Sequence, residues 1–226
     1  MNKVKLLFAS LLITSFSLIS QTKNPFEGSI TYSIAIEGDN MPKEILQMFS
    51  GSEAKTFIKG DKRRIEMNMA MQSTTSIIDS KKNTSITLMD FMGQKYLIRS
   101  TPEDMKKEED AMPDYKINYT SETKEIAGYK CKKAEVTVKL QSGKDETFNV
   151  FVTDEIPYSE IKNTYKGLKG FPLEYSMSQS GLKMTFSAKK VSKDNVSDTK
   201  FDVPTDGYKE FNVEDFKKEM MKFGGQ

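Results

Sequence analysis

The stretch KRRIEMNMAM, residues 62–71, decides the fold because its side chains alternate between two kinds. One set of positions holds Arg63 and then four apolar side chains, Ile65, Met67, Met69 and Met71. The positions between them hold charged or polar side chains, Arg64, Glu66 and Asn68. A period of two is typical of a β-strand that buries one of its faces.

The same alternation recurs along most of the chain. It returns in five further segments, residues 30–37, 115–120, 134–140, 173–177 and 182–188. Short turns containing Gly, such as residues 59–61 and 142–144, separate these segments. The pattern predicts about ten or eleven strands. Because tight turns join antiparallel neighbours, we expect one long meandering antiparallel sheet.

Three stretches break the alternation and predict short helices. Residues 41–50 follow Asn40, have Pro42 in their first turn and carry apolar side chains. Residues 101–110 begin with Thr101 as a possible cap. Residues 212–224 have acidic side chains early and basic side chains late. A long antiparallel sheet twists and curls. The sequence therefore predicts a mainly β fold with a few short helices, in which the sheet curls into a half-open barrel and the helices cover its concave face.

The composition excludes several kinds of chemistry. The 226 residues include no His and one Cys, which rules out a Ser-His-Asp triad, a Cys-His pair, a His-based zinc site and an internal disulfide. Two of the 34 basic side chains lie in the first 20 residues, so the remaining ones balance the 32 acidic side chains. A net charge of zero argues against a nucleic-acid partner.

Residues 1–20 have the pattern of a secretory signal peptide. Lys3 and Lys5 precede an apolar stretch over residues 6–19, and the small Ser20 ends it. The stretch is shorter than the roughly 18–20 residues of a spanning helix, and no Cys follows it to carry a lipid. We expect cleavage near Ser20, export to the periplasm or the extracellular space, and a single domain over residues 21–226 without a transmembrane segment.

Five short motifs carry a resemblance to a known family. They are FEGSITY at 26–32, KGDKRRIE at 59–66, KEIAGYKCKK at 124–133, GFPLE at 170–174 and FDVP at 201–204. Together they resemble a secreted Bacteroidota family of domains of unknown function, similar in layout to GLPGLI-type proteins and to the LolA/LolB-like half-barrel superfamily. The resemblance implies a LolA-like envelope protein whose concave face holds acyl chains or another apolar ligand, and it supplies no catalytic residue.

The apolar strand positions and the first helix predict a ligand-binding wall. Its candidate residues are Met48, Phe49, Ile65, Met67, Met69, Met71, Tyr96, Ile98, Met177, Met184 and Phe186. We predict a monomeric, non-enzymatic binding module without a cofactor that holds a lipid-like ligand or the acyl chain of a lipoprotein. One alternative is a structural or protein-interaction protein of the envelope, in which the protein's own side chains fill this space.

Two remoter alternatives follow from particular side chains. Met67, Met69 and Met71 present thioethers that suit Cu(I), although methionine more often fills cores. A carboxylate-based enzyme would have to take its catalytic groups from Asp39, Asp61, Asp79 and Asp90. Asp is, however, common in turns for backbone reasons alone. We expect no metal site and no catalytic residue.

The single thiol, Cys131, has two interpretations. Four nearby lysines, Lys124, Lys130, Lys132 and Lys133, could lower the pKa of a reactive thiol. A free Cys more often packs as a small buried hydrophobe, and we favour that interpretation. The step from Cys131 to Ala134 breaks the alternation, which indicates a β-bulge at Lys132-Lys133.

Overall fold

A computed structural model describes residues 26–38, 42–70, 72–140, 143–156, 165–179, 182–204 and 206–224. The predicted signal peptide, Asn40 and the candidate Met71 lie outside the described residues. The elements, in chain order, are β1 (Glu27–Glu37), α1 (Lys43–Met48), β2 (Glu53–Lys59), β3 (Lys62–Met69), β4 (Gln72–Asp79), β5 (Thr84–Phe91), β6 (Gln94–Ser100), α2 (Pro102–Asp110), β7 (Tyr115–Ile126), β8 (Tyr129–Lys139), β9 (Asp145–Thr153), β10 (Phe171–Gln179), β11 (Leu182–Ser192), a 3₁₀ turn (Asp198–Phe201), β12 (Lys209–Asn212) and α3 (Val213–Gly224).

All twelve described strands belong to one sheet in the order β12-β6-β5-β4-β3-β2-β1-β11-β10-β9-β8-β7. Sequence neighbours pair along two meanders, β1 to β6 and β7 to β11, which β1 and β11 join; most of the connections are short turns, but α1 lies between β1 and β2, and residues 154–170 connect β9 to β10. Every pair is antiparallel except the one between β6 and the edge strand β12, which lies parallel to β6. The predicted long antiparallel sheet is therefore confirmed, with one short parallel strand added at its edge.

The pairing register defines two faces of this sheet. We call one of them the inner face. It contains a row of directly paired residues, one from each strand from β1 to β6: Ile30, Thr56, Ile65, Ser76, Thr87 and Ile98. The same face continues in the other direction from Ile34 of β1 to Phe186 of β11 and Tyr175 of β10. We call the opposite face the outer face.

The sheet curls toward its inner face at the β7–β11 end. Cys131 of β8 and Ile30 of β1 belong to one buried cluster although β9, β10 and β11 lie between their strands. Lys193, which follows β11, places its Nζ 5.6 Å from the ring centroid of Tyr129 in β8, although β9 and β10 lie between the two strands. The sheet does not close on itself. The predicted fold class, a mainly β chain with a half-open curled sheet and a few short helices, is confirmed.

The break in alternation at Cys131 and Ala134 is present, but the predicted bulge at Lys132-Lys133 is wrong. Both side chains are fully buried, yet β8 pairs with β9 without interruption from Lys132 to Lys139. The extra residues lie in the neighbouring strands instead. The β7–β8 register shifts between Tyr119 and Thr123, and the β9–β10 register shifts at Leu173.

The connection from β11 to β12 crosses the outer face. It carries Val196 and Phe201, which are buried against Phe57 of β2 and Ile77 of β4. Lys59 Nζ donates to the carbonyl of Val196 at 2.9 Å. This crossing lets the chain leave β11 in the middle of the sheet and place β12 beside β6 at its edge.

The three predicted helices are present. Thr101 and Asp104 form a reciprocal capping box at the start of α2. At the start of α3, Asn212 Oδ1 accepts from the Asp215 amide at 2.8 Å. Helix α1 is shorter than the predicted 41–50, because Pro42 precedes it in an extended conformation and the first turn has no side-chain cap.

Gly28 is required where β1 passes β11. A Cβ atom at this position would stand 2.1 Å from the carbonyl oxygen of Ser192, which is backbone and has no room to move. We expect Gly28→Ala to lower the free energy of unfolding by about 2 kcal/mol or more. Urea unfolding monitored by circular dichroism measures this change.

The matched control is Gly60→Ala, in the β2–β3 turn. Gly60 also has a positive φ, but a Cβ there meets nothing within 4 Å, so only backbone strain of about 1 kcal/mol is expected. If the Gly28 variant loses no more stability than this control, the close approach of β1 and β11 is not a constraint.

Candidate functional site: the inner face of the sheet

The register places the predicted wall residues of β3, β6, β10 and β11 on one face. Met67 pairs through Thr74 and Met89 to Tyr96, and Ile65 pairs through Ser76 and Thr87 to Ile98. On the other side of β1, Met177 pairs with Met184, and Phe186 lies one step along the same strand face. The inner face has three parts with different degrees of cover.

The first part is closed by the curl of the sheet. Met184 and Phe186 are buried in the cluster around β1, and Met67 and Met177 pack against that cluster. Tyr175 stacks on Phe186 with 4.8 Å between ring centroids and meets Tyr32 edge-on at 5.9 Å. Here the protein's own side chains fill the inner face.

The second part is closed by helix α3. Tyr96 and Ile98 are buried, and Phe216 of α3 lies 5.7 Å from the Tyr96 ring and 5.9 Å from Phe211 of β12, centroid to centroid. Hydrogen bonds from Lys209 of β12 and from Lys222 within α3 hold the pKa of Glu219 below its usual value, and the bond from Lys209 ties α3 to the sheet edge. Helix α3 thus covers the inner face at the β6–β12 edge.

The third part lies between these two covers, and we call it the open stretch. Its apolar residues are Ile65 and Met69 of β3, Ile78 of β4, and Met89 and Phe91 of β5, and Met67 of β3 marks its boundary with the first part. All but Phe91 are partly buried, and Phe91 is 40% exposed. Small polar side chains, Thr74, Ser76 and Thr87, lie among them. The open stretch is a shallow apolar surface.

Helix α1 joins β1 to β2 at one end of the sheet. Met48 is 49% exposed and Phe49 is partly buried. At the same end, next to Met69, the turns after β3 and β5 border a wide depression of about 560 Å³. A second depression of about 410 Å³ lies beside the start of α3, around Arg99 and Asp215. Both depressions are shallow and open to solvent.

Cys131 is buried, and its surroundings disfavour the reactive thiolate form. Its side chain is fully buried in the cluster around β1, where Sγ lies 3.5 Å from the Tyr129 carbonyl oxygen. Burial, reinforced by the charge of Glu155, raises the pKa of the Cys131 thiol to about 11. The positive charge of Lys124 opposes this rise but does not overcome it. The favoured interpretation of Cys131 as a buried hydrophobe fits these contacts.

The described residues contain no cluster of three or more Cys, Asp or Glu side chains that could hold a metal ion. Asp79 and Asp90, from the remote enzyme alternative, lie on the outer face and accept backbone hydrogen bonds within turns. Asp39 lies outside the described residues. None of the helices in the described part of the chain is long and apolar enough to cross a membrane.

Several inner-face residues were not among the predicted wall residues. Besides Ile78, Met89 and Phe91, they include Arg63, which is paired with Ile58 and Ile78 on this face. They also include Tyr32, whose hydroxyl donates to the Pro172 carbonyl at 3.0 Å, and Tyr175, which lies between Tyr32 and Phe186. Burial raises the pKa of Tyr175 to about 12 and the pKa of Tyr32 well above its usual value. The alternation within each strand identifies these positions.

The fold and the inner face together define a class: an open, curled antiparallel sheet with a partly covered apolar face. The chain belongs to the family described as domain of unknown function DUF4412, whose model matches residues 37–164. This confirms the predicted membership of a domain-of-unknown-function family. No curated protein sequence matches the chain.

Solved structures add a likeness in fold. PNGF-II matches with 17% identity and a TM-score of 0.51 over 87% of this chain, which spans about a third (34%) of the PNGF-II chain. MucB matches with 13% identity and a TM-score of 0.36 over 81% of this chain and 58% of its own. LprF from Mycobacterium bovis matches with 9% identity and a TM-score of 0.35 over 76% of this chain and 88% of its own.

The raised thiol pKa gives a direct test. With a pKa of about 11, only about a thousandth of the Cys131 thiol is thiolate at pH 8, and burial shields that fraction from reagents. We expect iodoacetamide to leave the folded protein unmodified at pH 8 over hours and to modify it within minutes in 8 M urea. Intact-mass measurement reads both results.

The raised pKa of the Cys131 thiol also determines whether the stability of the fold rises or falls with pH. A thiol whose pKa is higher in the folded than in the unfolded chain stabilises the fold below pH 8.5, and this contribution is lost as the pH rises toward 11. Rapid alkylation of the folded protein at pH 8 would contradict the assignment of Cys131 as buried and neutral.

The aromatic contacts of α3 give a second test. Phe216→Ala removes both ring contacts, and we expect a loss of about 2 kcal/mol in the free energy that docks α3. Trypsin should then cleave after Lys217, Lys218 and Lys222 at least tenfold faster. Met221→Ala is the control, because Met221 is 70% exposed and its loss should leave the cleavage rate unchanged. Equal rates in both variants would show that Phe216 does not hold the helix.

Proposed function

We propose that this protein is an exported, non-enzymatic binding module that holds a lipid-like ligand against the inner face of its sheet. The observation that carries the proposal is the open stretch on β3, β4 and β5. A sheet face this apolar is normally covered, and among the described residues cover is provided at its two sides. An acyl chain laid across the open stretch would remove its apolar area from water at roughly 25 cal/mol per Å².

The composition of the open stretch favours a flexible, chemically simple ligand. Met67, Met69 and Met89 have unbranched side chains that adapt to irregular shapes. The row from Met67 through Thr74 to Met89 has no charged side chain. Such a surface suits an aliphatic chain better than a ligand that requires many directed hydrogen bonds.

The rim beside α1 offers a route to the open stretch. Met48, Phe91 and Met92 are among the large hydrophobic side chains exposed at this end of the sheet. The strands β3 and β5 both end here, so an apolar chain that enters at the rim would continue along Met69 and Met89. Exposed apolar groups at such a mouth lower the cost of passage from a lipid phase.

A second candidate function has an observation of its own. Around β1, β10 and β11 the protein's own side chains already fill the inner face, and the two depressions found among the described residues are open and shallow. This favours an envelope interaction protein whose open stretch receives an apolar segment of another protein. The two candidates differ in whether the purified protein binds small apolar molecules.

The neutral dye N-phenyl-1-naphthylamine separates them. We expect its fluorescence to rise on binding the wild-type protein, and we expect Ile65→Asn to weaken binding about tenfold because a polar side chain replaces apolar area at the centre of the stretch. The matched control is Glu66→Gln, on the outer face of the same strand, which should bind the dye as the wild type does.

Protein purified from its host envelope provides the second readout. Native mass spectrometry should find an added mass in the range of a lipid, and the chain mass should lack residues 1–20 if the predicted export and cleavage near Ser20 hold. A clean apo mass together with no dye binding would overturn the lipid proposal and favour the interaction protein. The comparison of Ile65→Asn with Glu66→Gln is made only if the wild-type protein binds the dye.

A further inference from the structure

The open stretch contains two hydroxyl groups that stand opposite each other on neighbouring strands. Ser76 of β4 is paired directly with Thr87 of β5 on the inner face, and both side chains are partly buried. We call these two residues the hydroxyl couple. Its apolar neighbours, along its row and along the two strands, are Ile65, Ile98, Ile78 and Met89. The couple is therefore a polar point within an apolar surface.

Within the described part of the chain, the hydroxyl couple has no hydrogen-bond partner. No described side chain or backbone group donates to the hydroxyl of Ser76 or Thr87 or accepts from it. Thr74 differs, because its Oγ1 accepts from Nε2 of Gln72 at 3.0 Å. Neither oxygen of the couple is fully buried, so both can exchange hydrogen bonds with solvent.

Two other pairs of opposite hydroxyls in the sheet bond to each other. Oγ1 of Thr137 lies 2.8 Å from Oγ1 of Thr147, and these residues are paired directly. Oγ of Ser176 lies 2.9 Å from Oγ1 of Thr185, which are also paired directly. The hydroxyl couple has the same direct pairing without such a bond. Its hydrogen-bonding capacity is therefore available to a ligand.

Covering the open stretch has a consequence for the hydroxyl couple. A ligand that lies over β4 and β5 removes solvent from both hydroxyls, and a buried hydroxyl without a partner is unfavourable. A pure hydrocarbon chain would leave Ser76 and Thr87 in that state. A ligand with a hydrogen-bond acceptor at this point would not. The couple therefore discriminates between ligands of equal apolar area.

One carbonyl oxygen can satisfy both hydroxyls. Directly paired residues have Cβ atoms about 5 Å apart, and an O–H···O hydrogen bond is about 2.7 Å long. A carbonyl oxygen above the hydroxyl couple therefore lies within reach of both donors, and its two lone pairs accept one bond from each. Because the couple is neutral, it offers no charge to offset the desolvation of a carboxylate. The chemistry of this point thus favours an uncharged carbonyl.

We propose that Ser76 and Thr87 donate to the carbonyl oxygen of a neutral acyl ester whose hydrocarbon chain lies along the open stretch. This inference rests on the proposed function and makes its ligand class specific: an acyl ester in place of an alkyl ether, a hydrocarbon or a free fatty acid. The hydrocarbon chain supplies most of the affinity through the apolar area that it buries. The two hydroxyls select the carbonyl and fix its position along the strands.

The hydrocarbon chain has a direct path from the hydroxyl couple to the rim. Phe91 lies four residues beyond Thr87 on the same face of β5, with Met89 between them, which is a distance of about 13 Å along the strand. Met69 lies in the same cross-strand row as Phe91, beside the rim. An extended dodecanoyl chain is about as long as this path. The alcohol part of the ester then points away from the sheet into solvent.

The experiment compares two lipids that differ in one carbonyl group. Monododecanoylglycerol and its ether analogue dodecylglycerol are each titrated, below the concentration at which they aggregate, into protein that carries N-phenyl-1-naphthylamine. We expect the ester to displace the dye from the wild type at about tenfold lower concentration than the ether, because two hydrogen bonds replace two unpaired hydroxyls. Dodecanoate, which carries a charge at its carboxyl group, should displace the dye less well than the ester.

The double variant Ser76→Ala/Thr87→Val removes both hydroxyls with little change in shape. It should bind the ester less tightly and the ether more tightly than the wild type does, so that the preference disappears. Thr75→Val is the matched control, because Thr75 lies between Thr74 and Ser76 on the outer face of β4 and is also partly buried. This control should keep the tenfold preference. Circular dichroism and thermal unfolding establish that each variant folds.

The possible failures are distinguishable. If the wild type binds ester and ether equally, or if the double variant keeps the full preference, the carbonyl assignment is overturned and the apolar site remains. If dodecanoate displaces the dye better than the ester does, the site takes an anion and the neutral ester is overturned. If neither the dye nor any of the lipids binds, the proposed function and this inference both fail. The ester-to-ether ratio of the wild type decides the question even if the double variant does not fold.

Discussion

An apolar sheet face has to be covered, and most of this structure follows from the way the chain meets that requirement. At one side the sheet curls until β7 and β8 lie over β1 and β11, so that Cys131 and Ile30 share a core. Tyr175, stacked on Phe186 and set edge-on to Tyr32, is at the centre of that closure. At the other side α3 covers Tyr96 through the ring of Phe216. The strands between the two covers keep their apolar face partly in water.

The charged side chains of the central strands lie mainly on the outer face, and this makes the open stretch of the inner face unusual. Lysines and carboxylates of the central strands pair on the outer face, as Lys183 does with Glu37 and Lys189 with Glu53. The outer face is also where the long connection to β12 crosses, held by Val196 and Phe201. Arg63 departs from this arrangement. Its side chain lies on the inner face, in the row of Ile58 and Ile78.

Two features of composition and burial limit the chemistry that His and Cys side chains can supply in this protein. The chain has no His, and the pKa of its one thiol is raised to about 11 by burial. The family to which the chain belongs is described only as a domain of unknown function, and the likeness to PNGF-II concerns the fold. The proposal therefore rests on the open stretch itself, on how its residues are exposed and which charges flank it.

The sequence by itself determined the strands and their faces. A period of two fixes which side chains share a face, because successive Cβ atoms point to opposite sides of a strand, so Ile65, Met67 and Met69 were assigned together with Ile98, Met184 and Phe186. It also determined the starts of α2 and α3, since Thr101 and Asn212 cap their helices through contacts within four residues. Such local rules need no knowledge of the rest of the chain.

Only the tertiary structure decided which parts of that face are filled and which stay open. Met67 and Met69 are equivalent in the alternation, yet one packs against the core around β1 and the other borders a depression at the rim. The bulge expected in β8 lies in its neighbours, because register shifts depend on how a pair of strands is staggered. Curvature, cover and stagger arise from contacts between distant segments, and no local pattern records them.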